Sequence, residues 1–428
     1  MKIWNKNIKT TNNSIDVFLS GEDIVLDQEI FLYDIEASIA HAEELKAINI
    51  LSNSEFKKMI SALKKLGKLF QTNKFKLTKK YEDCHSAIED YLIKELGDLG
   101  KKIHTGRSRN DQVLVAMRLY ARDQLDSIQS LNLKIAKAFL SKASQHSSDV
   151  MPGYTHLQRA MPSTWGLWFG AFAESFIDNA ELLANTQSWM NVNPLGTAAG
   201  YGVNLPIKRD ISTKKLKFKR KQLNSLYVQN SRGKFELELL SSLKQPMLDL
   251  RKFSWDVSLF TTQEFNLLSM SSQYLTGSSI MPNKSNPDVI EVMRASYSII
   301  AGHYSELENL MSLPSGYHRD LQLTKRSLIH SLHSVRETLA LLPDLIRSLK
   351  VNKSKSKDLI DEDMRMTDRA YDLVQSGMPF RDAYMTVKSN LETDMKSLKK
   401  MKLKSSSGSP ENLELKVLTS RLQKLSKI

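Results

Sequence analysis

Apolar residues recur every three or four positions along most of the chain, which is the period of an amphipathic helix. Long stretches of this pattern cover residues 107–148, 159–192, 232–275 and 287–311. Strand-like alternation is scarce, and glycine accounts for only 17 of the 428 residues. Helices of this length need partners to bury their apolar faces. We therefore predict an all-α chain built on an extended helical bundle shared between subunits.

Length and composition indicate a large globular protein. A chain of 428 residues can bury a substantial core and is long enough for two or three domains. No apolar run approaches the ~20 residues needed to cross a bilayer, and residues 1–14 lack the apolar segment of a secretion signal. Cys84 is the single cysteine, so no intrachain disulfide forms, and one Cys84–His85 pair does not make a metal site. We predict a cytoplasmic protein with no membrane segment and no metal.

The charge balance is basic, with 61 lysine and arginine residues against 47 acidic ones and a formal net charge of +14. Much of the excess lies in residues 208–221, 350–357 and 396–404. No zinc-finger spacing or RNA-binding aromatic pattern accompanies it. We interpret these lysines as a solvated surface and expect no nucleic-acid partner, although a positive field would help to gather an anionic substrate.

The most informative segment reads GSSIMPNKSNPDVIE, residues 277–291. Its two prolines exclude a continuous helix, and its first three residues are small, so we predict a loop. A helix should follow, with Asn286 as its N-cap, Pro287 in the first helical position and Asp288 in the first turn. A loop that brings serine, lysine and asparagine to the positive end of a helix suits a carboxylate. The alternative is an ordinary interhelical loop.

A second segment, HTGRSRNDQ, covers residues 104–112. Residues 107–110 cluster where a long helix begins, and Asp111 suits its first turn. A planar arginine fork combined with hydroxyl and amide donors fits a dicarboxylate. A solvated or phosphate-contacting surface is the alternative.

A third segment, GYTHLQRAMPS, covers residues 153–163. Thr155, His156 and Gln158 supply a hydroxyl, an imidazole that titrates near neutral pH and an amide within four residues. A lone histidine beside a turn is otherwise a structural residue.

Together these segments resemble the argininosuccinate lyases, which belong to the fumarase/aspartase superfamily. The GSSIMPNKSNP loop is typical of the whole superfamily, whereas HTGRSRNDQ followed by PGYTHLQ is more particular to the argininosuccinate lyases. GYHRDLQLTK, residues 316–325, is similar to the segment with which that family grips the arginine-bearing half of its substrate. The matches run from about residue 4 to about residue 384 and include residues 34–45, 82–92, 193–210 and 230–241.

The resemblance implies a three-domain subunit whose long central helical bundle forms a twenty-helix core in a homotetramer. We place the domains at residues 1–106, 107–350 and 351–428. The implied reaction is the reversible cleavage of argininosuccinate to L-arginine and fumarate by base-catalysed β-elimination, the last step of arginine biosynthesis. The leaving group and the adjacent carboxylate supply the chemistry, so we expect no cofactor. The substrate would bind at sites shared between subunits.

Family resemblance assigns the catalytic base to Ser278, acting as its alkoxide. A free serine hydroxyl is far too weakly acidic for this role, so it would need Lys284, backbone donors and exclusion of water by loop closure. We predict that His156 protonates the departing nitrogen, with Glu291 orienting or charging its imidazole. His104 and His85 are the alternative proton donors.

The substrate-binding residues divide between the two halves of the substrate. The resemblance implies that Ser108, Arg109, Asn110 and Thr155 bind the carboxylates of the fumarate half. Lys284, Asn286 and the helix that follows them suit the negative charge that develops during the reaction. The arginine half would be held by Tyr317, Gln322 and Lys325. Of these, Lys325 would bind the carboxylate of that half.

Two departures from the family pattern stand out. Many relatives have MPQKKNP where this chain has MPNKSNP, which places Asn283 and Ser285 beside the implied contacts. The N-terminal serine with which many relatives contact the substrate has no clear match, and either Ser20 or Asp23 could take its place.

Three other functions compete with this interpretation. Adenylosuccinate lyase, aspartase or fumarase would share the GSSIMPNKSNP loop but not HTGRSRND or GYHRDLQLTK. A catalytically silent protein, such as the lens crystallins that resemble this family, would lose a key side chain, and none is lost here. A nucleic-acid-binding protein would rest on net charge alone. The sequence favours the argininosuccinate lyase interpretation over all three.

Overall fold

The computed structural model describes residues 15, 18, 21–389 and 403–426, and these are mostly helical. The predicted Ser20 lies outside the described residues, as do residues 396–402 of the basic C-terminal segment. The helices are α1 Asp23–Ala47, α2 Asn53–Gln71, α3 Cys84–Leu96, α4 Asp98–Lys101, α5 Arg109–Gln145, α6 Trp165–Met190, α7 Arg209–Lys215, α8 Ser225–Asn230, α9 Lys234–Phe260, α10 Asp288–Leu310, α11 Thr324–Ser348, α12 Lys353–Asp358, α13 Met366–Gln375, α14 Phe380–Ser389 and α15 Leu415–Leu425.

The four predicted helical stretches correspond to α5, α6, α9 and α10, but their bounds differ. Residues 159–164 belong to a strand, and α9 ends at Phe260, so the helix predicted to continue to residue 275 is wrong there. The helix after the signature loop begins at Asp288. The prediction of Asn286 as N-cap is therefore wrong by one position, because Asn286 lies in a short strand and Pro287 directly precedes the helix.

Short strands pair into four two-stranded sheets among the described residues. They are β1 Val150–Thr155, β2 Gln158–Thr164, β3 Val192–Asn193, β4 Arg220–Lys221, β5 Leu268–Ser269, β6 Thr276–Gly277, β7 Ser285–Asn286 and β8 Lys350–Val351. The pairs are β1–β2, β3–β4, β5–β8 and β6–β7. The hairpin β1–β2 is the one substantial departure from the predicted all-α fold.

Two prolines explain why the sequence pattern does not predict this hairpin. Pro152 and Pro162 lie opposite each other in the paired strands, and proline within a run argues against a central strand. A two-stranded ribbon consists of edge strands only, so both prolines can face away from the ladder without losing a hydrogen bond.

The chain divides into two compact units, each made of three segments. The first unit comprises residues 1–128, 183–244 and 298–336. In it α1 packs against α2, α3 and α7. Ala37 and Ala40 of α1 join Val115 and Leu119 of α5 in a fully buried cluster. The small side chains of α1 allow the close approach of neighbouring elements that positions the acidic residues described below.

The second unit comprises residues 129–182, 245–297 and 337–428. Its core is aromatic: the ring of Phe139 meets that of Phe253 edge-on, with centroids 5.1 Å apart, and Trp168 stacks on Phe253 at 5.7 Å. Such pairs add about 0.5–1.5 kcal/mol each to the burial of the rings. The indole N–H of Trp165, a fully buried residue, donates to Ser356 Oγ at 3.0 Å, so its polar atom has a partner. Among the described residues, no helix is long and apolar enough to cross a membrane.

Candidate active site

A polar cavity of about 470 Å³ lies in the first unit. Its lining includes all six predicted substrate-binding residues of that unit, namely Ser108, Arg109, Asn110, Tyr317, Gln322 and Lys325. They come from the start of α5 and from the segment that leads into α11. The cavity volume falls in the range typical of small-molecule sites. Two distant sequence motifs therefore meet in one cavity.

The start of α5 is fixed by Asp111, a fully buried residue of the first helical turn. Its carboxylate accepts the backbone N–H groups of Ser108 at 2.9 Å, Gly196 at 3.0 Å and Ala198 at 2.9 Å. Burial raises the pKa of Asp111 to about 6, although these hydrogen bonds lower it. The side chain of Ser108 accepts the N–H of Asn110 at 3.3 Å. The predicted position of Asp111 in the first turn is confirmed.

Arg109 is held at the cavity wall by two acidic residues. Its guanidinium approaches Glu82 at 2.9 Å and Asp83 at 3.1 Å. Burial lowers the pKa of Arg109, but the hydrogen bond with Glu82 and the charge of Asp83 raise it above its ordinary value overall. Asp83 in turn caps α3, accepting the N–H of Ser86 at 2.8 Å. The guanidinium is therefore held in a fixed orientation before any substrate binds.

Lys325 forms the centre of a buried charge cluster. Its ammonium donates to Asp23 at 2.9 Å and also to Asp27, and the side chain is only 2% exposed. Burial lowers the pKa of Lys325, but both carboxylates raise it well above its ordinary value. Gln322 donates to the other oxygen of Asp23. Of the two alternatives Ser20 and Asp23, Asp23 is the one that the structure describes, and it lines the cavity.

His85 and His104, the alternative proton donors, both line the cavity. His85 is buried and its Nδ1 lies 2.7 Å from Asp34; burial lowers its pKa, but the charge of Asp34 raises it overall. Burial and the nearby Arg107 lower the pKa of His104 to about 4. His104 is therefore neutral at neutral pH and carries no proton to donate as an imidazolium.

Three buried side chains have ligand atoms close enough to share a metal ion. The ligand atoms of Asp27, Cys84 and His85 lie within 4.8 Å of one another. Burial raises the pKa of the Cys84 thiol well above its ordinary value. Asp27 also accepts a hydrogen bond from the cationic Lys325. Asp27 and His85 thus already have charged partners, Lys325 and Asp34, within the first unit.

In the second unit the hairpin β1–β2 carries Thr155 and His156. The turn between the strands consists of His156 at φ 53° and Leu157 at φ 58°. Left-handed backbone at two consecutive residues matches the twist of a hairpin but usually requires asparagine or glycine. The strained turn exposes Thr155 and His156 to solvent.

The predicted signature loop is present, and the pair β6–β7 closes its base. Thr276 pairs with Asn286 and Gly277 with Ser285. The hydroxyl oxygen of Ser278 accepts the backbone N–H groups of Ile280 at 3.3 Å and Met281 at 3.0 Å. Two backbone donors thus point at the oxygen of Ser278, which the resemblance predicts to be the base.

Other predicted residues in and after this loop are exposed to solvent. Lys284 is exposed, and Glu291, in the first turn of α10, is exposed as well. Over the described parts of the second unit, no hydrogen bond or ion pair joins Glu291 to His156, so their pairing stays a prediction. Of the twelve predicted site residues, the first unit thus gathers six, whereas Thr155, His156, Ser278, Lys284, Asn286 and Glu291 belong to the second unit.

Several charged residues of the cavity had no assigned role in the sequence. They are Glu82, Asp83, Arg232 and Arg319. Glu82 and Asp83 belong to residues 82–92, one of the stretches that resemble the family. The spacing from Asp83 to Ser86 is that of a helix cap, and this spacing was the sequence feature that could have marked them. No local signal marks Arg232, because its role depends on residues far from it in sequence.

Comparisons with known proteins indicate the family of the chain. The sequence pattern of the lyase family matches residues 7–302. The argininosuccinate lyase of Xanthomonas campestris pv. campestris is 49% identical over 382 residues, which is 89% of this chain and 89% of that protein. The argininosuccinate lyase of Stenotrophomonas maltophilia is 45% identical over 427 residues, 99% of each chain. The chain belongs to the argininosuccinate lyase family. Like the members of that family it is an enzyme, a carbon–nitrogen lyase.

Solved structures support the fold of this argininosuccinate lyase family member. EDDS lyase in complex with formate has a TM-score of 0.80 at 22% identity, covering 96% of this chain and 90% of the other. The class II fumarase of Schistosoma mansoni has a TM-score of 0.73 at 14% identity, covering 86% and 91%. At such identities the likeness concerns the fold alone, which is that of the fumarase/aspartase superfamily.

Proposed function

We propose that the chain cleaves argininosuccinate reversibly to L-arginine and fumarate, the last step of arginine biosynthesis. The observation that carries this proposal is the single cavity in which Ser108, Arg109 and Asn110 face Tyr317, Gln322 and Lys325. The first group suits a dicarboxylate and the second the arginine half of the substrate. Family membership supports the same reaction.

The reaction begins with removal of a weakly acidic proton from the carbon next to a carboxylate. The resulting carbanion places a second negative charge on that carboxylate, after which the C–N bond on the neighbouring carbon breaks. Fixed donors aimed at that carboxylate therefore dominate the acceleration. Lys284, Asn286 and the N-terminus of α10 are the proposed donors, while Ser108, Asn110 and Thr155 bind the carboxylates in the ground state.

Ser278 is the proposed base. Its two backbone hydrogen bonds, from Ile280 and Met281, supply part of the stabilisation that an alkoxide needs. The ammonium of Lys284 would supply more when the loop closes over the substrate and excludes water. The open, exposed loop supports this two-state behaviour.

His156 is the proposed proton donor, with Glu291 as its partner in the assembled enzyme. The low pKa of His104, about 4, weakens the case for that alternative. His85 is buried, and its Nδ1 already pairs with Asp34 at 2.7 Å. The exposed position of His156 on a strained turn supports a role outside the packing of its own unit.

We further propose the assembly that the family resemblance implies: three domains at residues 1–106, 107–350 and 351–428, and a homotetramer with a twenty-helix core and shared active sites. The second unit leaves large apolar side chains exposed on its long helices, including Leu248, Trp255, Val292 and Leu341. Exposed apolar rows on long helices support burial against other subunits. The enzyme would act in the cytoplasm without a cofactor, a nucleic acid or a membrane.

The test is to incubate the purified protein with argininosuccinate and follow the ultraviolet absorbance of fumarate. Fumarate and arginine should appear in equal amounts. Aspartate and adenylosuccinate, assayed in parallel, should give no signal; a signal from either would instead assign the chain to the corresponding lyase. No fumarate from any of the three substrates would favour a catalytically silent protein.

A further inference from the structure

Asp111 joins two segments that are far apart in the sequence, because its two carboxylate oxygens have different partners. One oxygen accepts the backbone N–H of Ser108 at 2.9 Å. The other accepts the N–H groups of Gly196 at 3.0 Å and Ala198 at 2.9 Å, which follow 85 and 87 positions later in the chain. Among the described residues, its hydrogen-bonding partners are these three backbone groups. Asp111 therefore fixes the backbone of both segments.

Capping of α5 accounts for only one of these oxygens. The helix begins at Arg109, so Ser108 is the residue that precedes it. An acidic residue three positions later that accepts its N–H completes a capping box. The two hydrogen bonds of the second oxygen add nothing to that cap. They tie the first turn of α5 to residues 193–198, which we call the support segment.

The support segment is buried and is held from its other side by Arg209, the first residue of α7. The guanidinium of Arg209 donates to the backbone oxygens of Leu195 at 2.7 Å and Asn193 at 3.1 Å. Gly196 has φ 84°, and a Cβ at this position would lie 2.9 Å from Cγ of Arg209. Glycine therefore allows both the left-handed backbone and the close approach of the arginine stem.

These contacts lie behind one wall of the cavity. Residues 108–110 line the cavity, whereas neither Asp111, Arg209 nor the support segment is among the described residues that do so. They can act on a bound substrate only through the position of residues 108–110. A shift of about 1 Å in a group that positions a substrate can lower the rate about 100-fold. The hydrogen bonds behind the wall therefore bear on the reaction.

We infer that Asp111 and Arg209 are positioning residues, which brace residues 108–110 against the support segment so that these residues meet the carboxylates of the fumarate half. Asp111 acts directly on this turn, and Arg209 acts through the support segment. The inference rests on the proposed function, since that function assigns residues 108–110 to the fumarate half. The arginine half is held by the segment that leads into α11 and does not depend on the brace.

The test is the reverse reaction, followed by the loss of fumarate absorbance, with KM determined separately for fumarate and for L-arginine. The substitution Asp111→Asn keeps the shape of the side chain, but its amide turns a donor toward at least one of the three N–H groups in either orientation. KM for fumarate should rise about tenfold or more, while KM for L-arginine should change by less than about twofold.

Two further variants disturb the brace from its other side. Arg209→Gln loses the guanidinium that holds the backbone of the support segment. Gly196→Ala places a Cβ against Arg209 and removes no polar group. Each should raise KM for fumarate about threefold or more and leave KM for L-arginine within about twofold of the wild-type value.

Asp256→Asn is the matched control. Asp256 is a partly buried carboxylate of α9, in the second unit, and it accepts the indole N–H of Trp168 at 2.9 Å. Because this carboxylate meets one fixed donor, an asparagine can turn its oxygen toward that donor. Both KM values should therefore stay at the wild-type level. A selective rise of KM for fumarate in this control as well would overturn the inference.

A merely structural role for Asp111 and Arg209 would change both KM values alike, or would lower kcat with both KM values unchanged, and either result would overturn the brace. Failure of the wild-type enzyme to consume fumarate with L-arginine would instead overturn the proposed function. Should Asp111→Asn fail to fold, Arg209→Gln and Gly196→Ala decide the inference.

Discussion

Ser278 is the proposed base, and its own loop supplies part of what that role needs. The side chain oxygen accepts two backbone N–H groups within three residues, so its environment favours negative charge on that oxygen. Ser279, its neighbour, is exposed, and nothing in the loop marks it for the same role. The two serines therefore form an internal comparison.

Replacing Ser278 by alanine should lower kcat by about a thousandfold or more, because the variant loses the proposed base. The substitution Ser279→Ala should keep most of the activity. Fumarate release measures both, and size-exclusion chromatography should show the same assembly. Rates like those of the wild-type enzyme in Ser278→Ala would remove this serine from the mechanism.

Lys325→Ala should affect binding and stability together. KM for argininosuccinate should rise, because the variant loses a contact to the carboxylate of the arginine half. The free energy of unfolding should fall by about 3–5 kcal/mol, since Asp23 and Asp27 lose their buried partner. Steady-state kinetics at low temperature and urea denaturation separate the two effects. An unchanged KM would refute the placement of Lys325 at the substrate.

Glu44 gives a prediction for pH. Burial raises the pKa of Glu44 from its ordinary value of 4.5 to about 7, although the hydrogen bonds from Ser212 lower it. The folded state therefore favours the protonated, neutral form of Glu44. The stability that this form contributes is full below pH 4.5 and is lost as the pH rises through 7. Between pH 4 and pH 8, the free energy of unfolding of the wild-type protein should fall by up to about 3 kcal/mol relative to that of Glu44→Gln.

Urea denaturation of both proteins at several pH values and one protein concentration measures this difference. A gap between the two unfolding free energies that is constant with pH would show that Glu44 titrates alike in the folded and unfolded states.

Among the secondary-structure elements, two glycines in helices have opposite surroundings. A Cβ at Gly100 would lie 2.3 Å from the backbone oxygen of Leu92, whereas a Cβ at Gly302 would meet nothing within 4 Å. Gly100→Ala should therefore lower the free energy of unfolding by several kcal/mol, about 2–4, because backbone must shift. Gly302→Ala should raise it by about 0.5–1 kcal/mol through helix propensity. Thermal denaturation of the pair tests both, and stabilisation by Gly100→Ala would contradict the close packing of α3 and α4.

The periodicity of apolar residues predicted the long helices because burial on one face repeats with the helical turn. It failed where local geometry overrides that period. The hairpin at residues 150–164 contains opposed prolines and a turn made of histidine and leucine, which no turn preference would select. The residues after Phe260 continue the apolar pattern but form loops and turns, in which Leu268–Ser269 pair as a short strand. Both errors come from contacts between segments, which a local pattern does not contain.

At the scale of the whole molecule, the predicted site falls into two groups that belong to different units of the chain. The motifs predicted which residues act, because each motif is local. They did not identify the charged partners, because those pairs join distant segments: Lys325 contacts Asp23 across 302 positions of sequence. Arg232 and Glu82 were missed for the same reason.

The proposal of shared sites predicts complementation between inactive variants. Ser278→Ala subunits carrying one affinity tag can be co-expressed with His156→Ala or Lys325→Ala subunits carrying another. If a site takes the two altered residues from different subunits, random mixing leaves about one quarter of the sites intact. At least one pairing should therefore regain activity after tandem purification. Activity near zero in both mixtures would indicate sites contained within single subunits.

The cluster around Lys325 also has a consequence for synthesis on the ribosome. Asp23 and Asp27 lie on the first described helix, but the ammonium that neutralises them emerges 302 and 298 positions later. At about 5–20 residues per second, this interval lasts roughly 15–60 s. During that time α1 carries two carboxylates that must stay hydrated, which delays its burial. We therefore expect a chain cut short before α11 to leave this helix more accessible to proteases than it is in the full-length protein.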